Sequence, residues 1–122
     1  MEKIHTSKAP AAIGPYSQGI ALGQLVFTSG QIPVDPESGS VPQGIEAQAH
    51  QACKNVAAVL EEGGSSLDQV IKTTCFLADM GDFAAFNEVY AKFFTSKPAR
   101  SCVAVKTLPK GVACEIEAIA VK

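Results

Sequence analysis

The sequence predicts an α+β fold of order ββαβαββ, a mixed sheet with two helices on one face. Three observations carry this: two segments with apolar residues at helical spacing, β-type runs before, between and after them, and turn formers at the junctions. Neither helical segment is apolar all round, so each has one face to lay on a sheet.

The first β-type runs, Gly19-Ile20-Ala21-Leu22 and Leu25-Val26-Phe27-Thr28, are separated by Gly23-Gln24, and a glycine at the first central position suits a type II′ hairpin turn. Residues 34–44 hold turn formers of several kinds without periodicity and predict a surface loop. Ile45, Ala49, Ala52, Cys53, Val56, Val59 and Leu60 then recur every three or four residues, with Gly63-Gly64 as a stop after Glu62. Residues 70–78 are β-branched and aromatic, hence a strand, and Asp82 is placed to cap a helix carrying Phe83, Phe86, Val89, Tyr90 and Phe93 on one face. Residues 101–108 and 112–121 read as two strands of a closing hairpin about Pro109-Lys110-Gly111. The outer face of such a sheet still carries apolar side chains, Val26 and Ile116 or their opposites, and sister subunits are the natural cover.

A length of 122 residues with 47% hydrophobic content predicts a single domain spanning 1–122. The net charge of −2 and scattered basic residues give no footprint for a phosphate backbone or an anionic membrane. The first residues, Met1-Glu2-Lys3-Ile4-His5, lack the apolar run of a signal peptide, and no segment approaches the roughly 20 apolar residues of a membrane span, so a cytoplasmic location is expected. Cys53, Cys75, Cys102 and Cys114 show no C-x-x-C spacing and lie in apolar patterns, which argues against disulfides and against a zinc site.

Arg100 is the one arginine among nine lysines. A guanidinium fork grips a carboxylate through two parallel hydrogen bonds, which an ammonium cannot reproduce; the alternative is a surface or interface salt bridge. Glu115 and Glu117, two apart in a strand, share one side of the sheet, either as an acid/base pair tuned by burial or as the wet side of an edge strand paired with a residue such as Lys106. Cys102 shares the face of Arg100, but neither His5 nor His50 is placed to activate it, so a space-filling role is the simpler reading. The segments 12–18 and 28–33, each broken by glycine and proline at a strand end, offer backbone N–H groups and hydroxyls, although turn formation alone accounts for them.

Taken together, Ala11-Ala12-Ile13-Gly14-Pro15-Tyr16, Thr28-Ser29-Gly30-Gln31-Ile32-Pro33, Val70-Ile71-Lys72-Thr73-Thr74, Asp82-Phe83 with Asn87, Pro98-Ala99-Arg100-Ser101-Cys102-Val103 and Glu115-Ile116-Glu117-Ala118-Ile119-Ala120-Val121 resemble the Rid (reactive intermediate deaminase, YjgF-like) family from residue 9 to residue 121. The resemblance implies a fold like AroH-type chorismate mutase, a homotrimer with sites between subunits, and cofactor-free, metal-free hydrolysis of small 2-imino acids to 2-oxo acids and ammonia. It implies that Arg100 clamps the substrate carboxylate, that Glu115 positions and activates water, and that Tyr16, Ser29, Gly30, Asn87 and Cys102 line the pocket, Gly30 through its backbone N–H. Pyridoxal-dependent dehydratases are the implied source of the imine. Cys114 departs from the family's usual aliphatic residue, but it points away from Glu115. Two other roles compete: an endoribonuclease or translation inhibitor, which the charge balance disfavours, and a non-catalytic carboxylate-binding module or holdase, which would not need the glutamate. If the closing hairpin held, Lys106 would face Glu115 and Arg100 would lie on the order of 20 Å away, so the two would reach one substrate only from different subunits.

Overall fold

The computed structural model describes every residue from Met1 to Lys122. Its strands are β1 (Glu2–Ile4), β2 (Gly19–Leu22), β3 (Leu25–Thr28), β4 (Val70–Leu77), β5 (Ala99–Ala104) and β6 (Cys114–Val121); its helices are α1 (Ile45–Glu62) and α2 (Phe83–Phe93). The strands form one mixed sheet in the order β1-β2-β3-β6-β4-β5, antiparallel except for the β4–β5 pair. Both helices contribute to the core on one face, where Val56, Val59, Leu60 and Phe86 meet Val26, Cys75, Leu77, Cys114 and Ile116.

The hairpin of β2 and β3 pairs Leu22 with Leu25, and Gly23 takes φ 59° while Gln24 keeps a negative φ, the pattern of a type II′ turn. Helix α1 ends at Gly63 as its periodicity predicts. Residues 34–44 contain no helix or strand. Val26 and Ile116 are both fully buried under the helices, so the open face is built from their opposites, with Phe27 and Ile119 in register and Phe76 and Val103 further along.

Three expectations are corrected. A short strand, β1, precedes the expected order and pairs with β2; only Ile4 of its three residues is buried, too little pattern to read as a strand. Asp82 stands at the N-terminus of α2 but makes no capping hydrogen bond, whereas Asp79 accepts one from the Gly81 N–H at 2.8 Å and closes the turn before the helix.

The third correction matters most for function. Strands β5 and β6 are not a hairpin, because β4 lies between them and pairs with both. The connecting residues 105–113 are long enough to cross the end of β4, where the Val105 N–H donates to Leu77 O at 2.9 Å and the Ala78 N–H to Ala113 O at 3.0 Å. Burial of β6 on its core face favours this central position, since Cys114, Ile116, Ala118 and Ala120 need helices above them and neighbours on both edges. Phe76, not Lys106, therefore stands beside Glu115.

Candidate active site

The register places Arg100 beside Thr73 and Glu115 beside Phe76, on opposite sides of β4. Two strand spacings and three residues along the strand separate their Cα atoms by about 14 Å. Side-chain alternation adds a second barrier. Arg100 and Cys102 share the helix-covered face with Thr73 and Cys75, while Glu115 and Glu117 share the open face with Phe76 and Thr74. One chain thus carries two half-sites, divided by its own sheet.

The glutamate half-site is built by an irregularity in β3. Phe27 pairs with Ile119 and Gln31 with Ile116, so four steps on one strand match three on the other, which is a one-residue β-bulge over 28–30. Inside it the Thr28 Oγ1 accepts the Ala118 N–H at 3.0 Å, and the Ser29 hydroxyl donates to Ser17 O at 2.5 Å. The Gly30 N–H donates no hydrogen bond within the chain. A Cβ at residue 30 would overlap Glu115 Oε2 and come within 2.8 Å of its Cδ, so only glycine lets the carboxylate lie against this backbone. Burial raises the Glu115 carboxyl above the ordinary carboxylate range, and the like charge of Glu117 raises it further.

Two buried amides brace this half-site. The Gln18 side chain accepts the Thr6 N–H at 2.7 Å and donates to Thr6 O at 3.0 Å and Pro10 O at 2.8 Å, fixing the segment that leads to Tyr16. The Asn55 amide, on α1, donates to Ile32 O at 3.0 Å and Val34 O at 2.9 Å, fixing the segment after Gly30. Tyr16, half exposed, joins Ile13, Gly30, Gln31 and Lys110 around a cleft of about 220 Å³.

The arginine half-site lies between β5 and α2. The Arg100 Nη1 donates to Asn87 Oδ1 at 2.8 Å, and its Cζ stands 4.8 Å from the centre of the Tyr90 ring and 5.5 Å from that of Phe83. An amide is neutral, so this bond leaves the guanidinium charge uncompensated and the rest of its fork available to an anion. Asn87 and Arg100 line a groove of about 430 Å³ with Tyr90, Phe94 and Lys97. Cys102 is half-buried, and burial raises its thiol although the Arg100 charge pulls the other way. A thiol so placed is a poor nucleophile at neutral pH.

The candidate residues therefore fall into Tyr16, Ser29, Gly30 and Glu115 on one side and Asn87, Arg100 and Cys102 on the other. Sequence reasoning missed Tyr90 and Phe83 as neighbours of Arg100, because aromatic residues at helical spacing read as core. It also missed Gln18 and Asn55, whose signal would have been an amide inside an apolar pattern. A groove of about 590 Å³, roomier than either half-site, runs between Lys54 of α1 and Asp35 and holds none of the candidate residues. No three His, Cys, Asp or Glu side chains are grouped to hold a metal ion, and no helix is long and apolar enough to cross a membrane.

Comparison with known proteins agrees with these motifs. The family model described as Endoribonuclease L-PSP matches residues 6–122. The chain is 54% identical over 123 residues to the 2-iminobutanoate/2-iminopropanoate deaminase of Salmonella typhimurium, covering 98% of this chain and 96% of that protein. It is 56% identical over 124 residues to a RutC family protein of Haemophilus influenzae, covering 98% and 95%. The crystal structure of Escherichia coli TdcF with bound serine superposes with a TM-score of 0.97 at 50% identity, covering 100% of this chain and 99% of that one. With its motifs, its fold and a match along nearly its whole length in agreement, the chain belongs to the Rid (YjgF-like) family, which that family model describes.

Proposed function

We propose that this protein hydrolyses small 2-imino acids, of the 2-iminobutanoate and 2-iminopropanoate class, to 2-oxo acids and ammonia, in clefts shared between copies of the chain. The observation that carries this reading is the setting of Arg100: the chain's one arginine is held by a neutral amide and two aromatic rings, and its free N–H groups suit the carboxylate of a small acid. The names of the deaminase relatives support the same substrate class.

The chemistry asks little of the protein. An imine carbon is already electrophilic, and fixing the carboxylate turns a random encounter into a positioned attack. Glu115, ionised, takes a proton from water as the oxygen adds to the imine carbon and passes it to the nitrogen, giving a carbinolamine; it then takes the proton of the new hydroxyl and returns it to the nitrogen as the C–N bond breaks, so that ammonia leaves and the C=O of a 2-oxo acid remains. A carboxyl raised by burial and by Glu117 is suited to both halves of this transfer. The Gly30 N–H and Tyr16 stand beside that water, and Asn87 holds the clamp. No step calls for a cofactor or metal, and we read the chain as a single domain acting in a homotrimer, free of membrane and nucleic-acid partners.

Joining the half-sites needs a second copy, because no bend of an intact sheet brings its two faces together. Ser101, Val103, Phe76 and Phe27 on the open face offer a contact surface for it. The endoribonuclease reading finds less support, since phosphate gripping needs clustered cations and this chain has net charge −2.

The test is a coupled assay in which a pyridoxal-dependent serine or threonine dehydratase generates the imine and 2-oxo acid release is followed. Faster release in proportion to added protein is expected; an unchanged rate at every protein concentration defeats the proposal. In the same assay Cys102→Ala should retain most of the activity, because water is the nucleophile and the thiol is held protonated. Complete loss in that variant, with its fold intact by circular dichroism, would point to a covalent intermediate instead.

A further inference from the structure

Helix α2 packs four aromatic residues against the core, Phe83, Phe86, Tyr90 and Phe93, and packing alone would be satisfied by phenylalanine at each. Tyr90 differs in two ways. Its hydroxyl is hydrogen-bonded to Thr73 Oγ1 at 2.7 Å inside the core, and its ring stacks on Phe94 with centroids 4.4 Å apart and planes at 23°. Thr73 is also the register partner of Arg100. Strand β4 therefore fixes both the base of Arg100 and the ring above which its charge lies.

From this we infer that Tyr90 is a positioning residue for the carboxylate clamp: its ring, locked by Thr73 and Phe94, is a cation–π platform that holds the Arg100 guanidinium in the orientation that receives substrate. Phe83 supplies a second, more distant ring, and Asn87 fixes one end of the fork. An aromatic face attracts a guanidinium without neutralising it, so the arginine is held yet keeps its charge for an incoming anion. A carboxylate in the same place would hold it as well and compete with the substrate. The phenol behaves as a neutral group here, because burial raises it above its ordinary value, outweighing Thr73 and Arg100, which lower it. The inference rests on the imino-acid reading for its kinetic consequence but not for its structural one.

Arg100 is the only arginine, so ¹⁵N-arginine labelling gives a single side-chain Nε–H signal in the intact protein. In the wild type and in Tyr90→Phe that signal is expected away from the free-arginine position through the ring current of residue 90, and in Tyr90→Leu it should move most of the way back. Binding of 2-oxobutanoate, the product, should weaken about five- to thirtyfold in Tyr90→Leu and stay within about threefold in Tyr90→Phe, the loss of a partly buried cation–π contact. In the coupled assay the change in Tyr90→Leu should fall on KM, with kcat within about twofold of wild type. Should the leucine variant fail to fold, Tyr90→Met, which fills the space with a flexible chain and no ring, is expected to shift the same signal and to weaken binding to a similar extent. An Nε–H signal unmoved in folded Tyr90→Leu, or a Tyr90→Phe defect as large as that of leucine, overturns the platform. A wild type that neither binds 2-oxobutanoate nor speeds imine hydrolysis overturns the proposed function instead, and the arginine signal still judges the platform.

Discussion

Replacing Arg100 by lysine is expected to remove most of the imine hydrolysis even though the charge is kept. The fork meets a carboxylate with two parallel bonds, and each charge-assisted bond of this kind contributes about 1.5–3 kcal/mol. Loss of one such bond corresponds to roughly a ten- to hundredfold fall in kcat/KM, and lysine also gives up the planar fit between Asn87 and the rings of Tyr90 and Phe83. Steady-state kinetics of Arg100→Lys beside Arg100→Ala measure this directly. Near-normal activity in the lysine variant would mean that a point charge suffices and that the clamp is not bidentate.

Glu115→Gln should lower kcat by roughly 10²- to 10⁴-fold, the usual worth of a general acid/base, because the amide can hold water beside Gly30 but cannot take its proton. The acidic limb of the wild-type pH–rate profile should lie above the ordinary carboxylate range, since burial and then Glu117 raise the Glu115 carboxyl; Glu117→Gln should move that limb down. The same shift has a stability consequence of definite sign. A carboxyl raised in the folded state binds its proton more tightly there than in the unfolded chain, so the stability it lends is present below the unfolded value and is lost as pH rises through the folded one. Across that window the Tm of wild type should fall relative to that of Glu115→Gln. A Gln variant that loses stability at neutral pH instead would show that Glu115 gains a cationic partner in the assembly.

Much of the fold is legible in the sequence where local physics decides it. The apolar period of α1, the Gly23 turn and the β-branched run of β4 each specify their element without help from the rest of the chain. The crossover that leaves β4 between β5 and β6 is not legible, because whether a chain turns back at once or crosses the end of another strand is settled by burial of both edges of β6, not by Pro109-Lys110-Gly111. The candidate site divides in the same way. Arg100 stands out as the lone guanidinium, and Glu115 with Glu117 as paired acids in an apolar strand, but the bulge that seats Gly30 against Glu115 is a register event invisible in composition. Tyr90 was hidden for the opposite reason, since its spacing on α2 is that of any core aromatic. The expected separation of Arg100 from Glu115 survives on different grounds: the hairpin geometry that first suggested it is absent, and the two opposed faces of the sheet replace it.

Co-expression of Arg100→Ala and Glu115→Ala chains tests the shared cleft most directly. Each variant alone should be inactive. If every cleft takes Arg100 from one copy and Glu115 from the next, random equimolar mixing leaves both residues intact in about a quarter of all clefts, so the whole population, once mass spectrometry has verified that it contains mixed assemblies, should recover about a quarter of wild-type activity. Verified mixed assemblies that remain as inactive as the parents would contradict it, and would require Arg100 and Glu115 of a single chain to serve the same substrate.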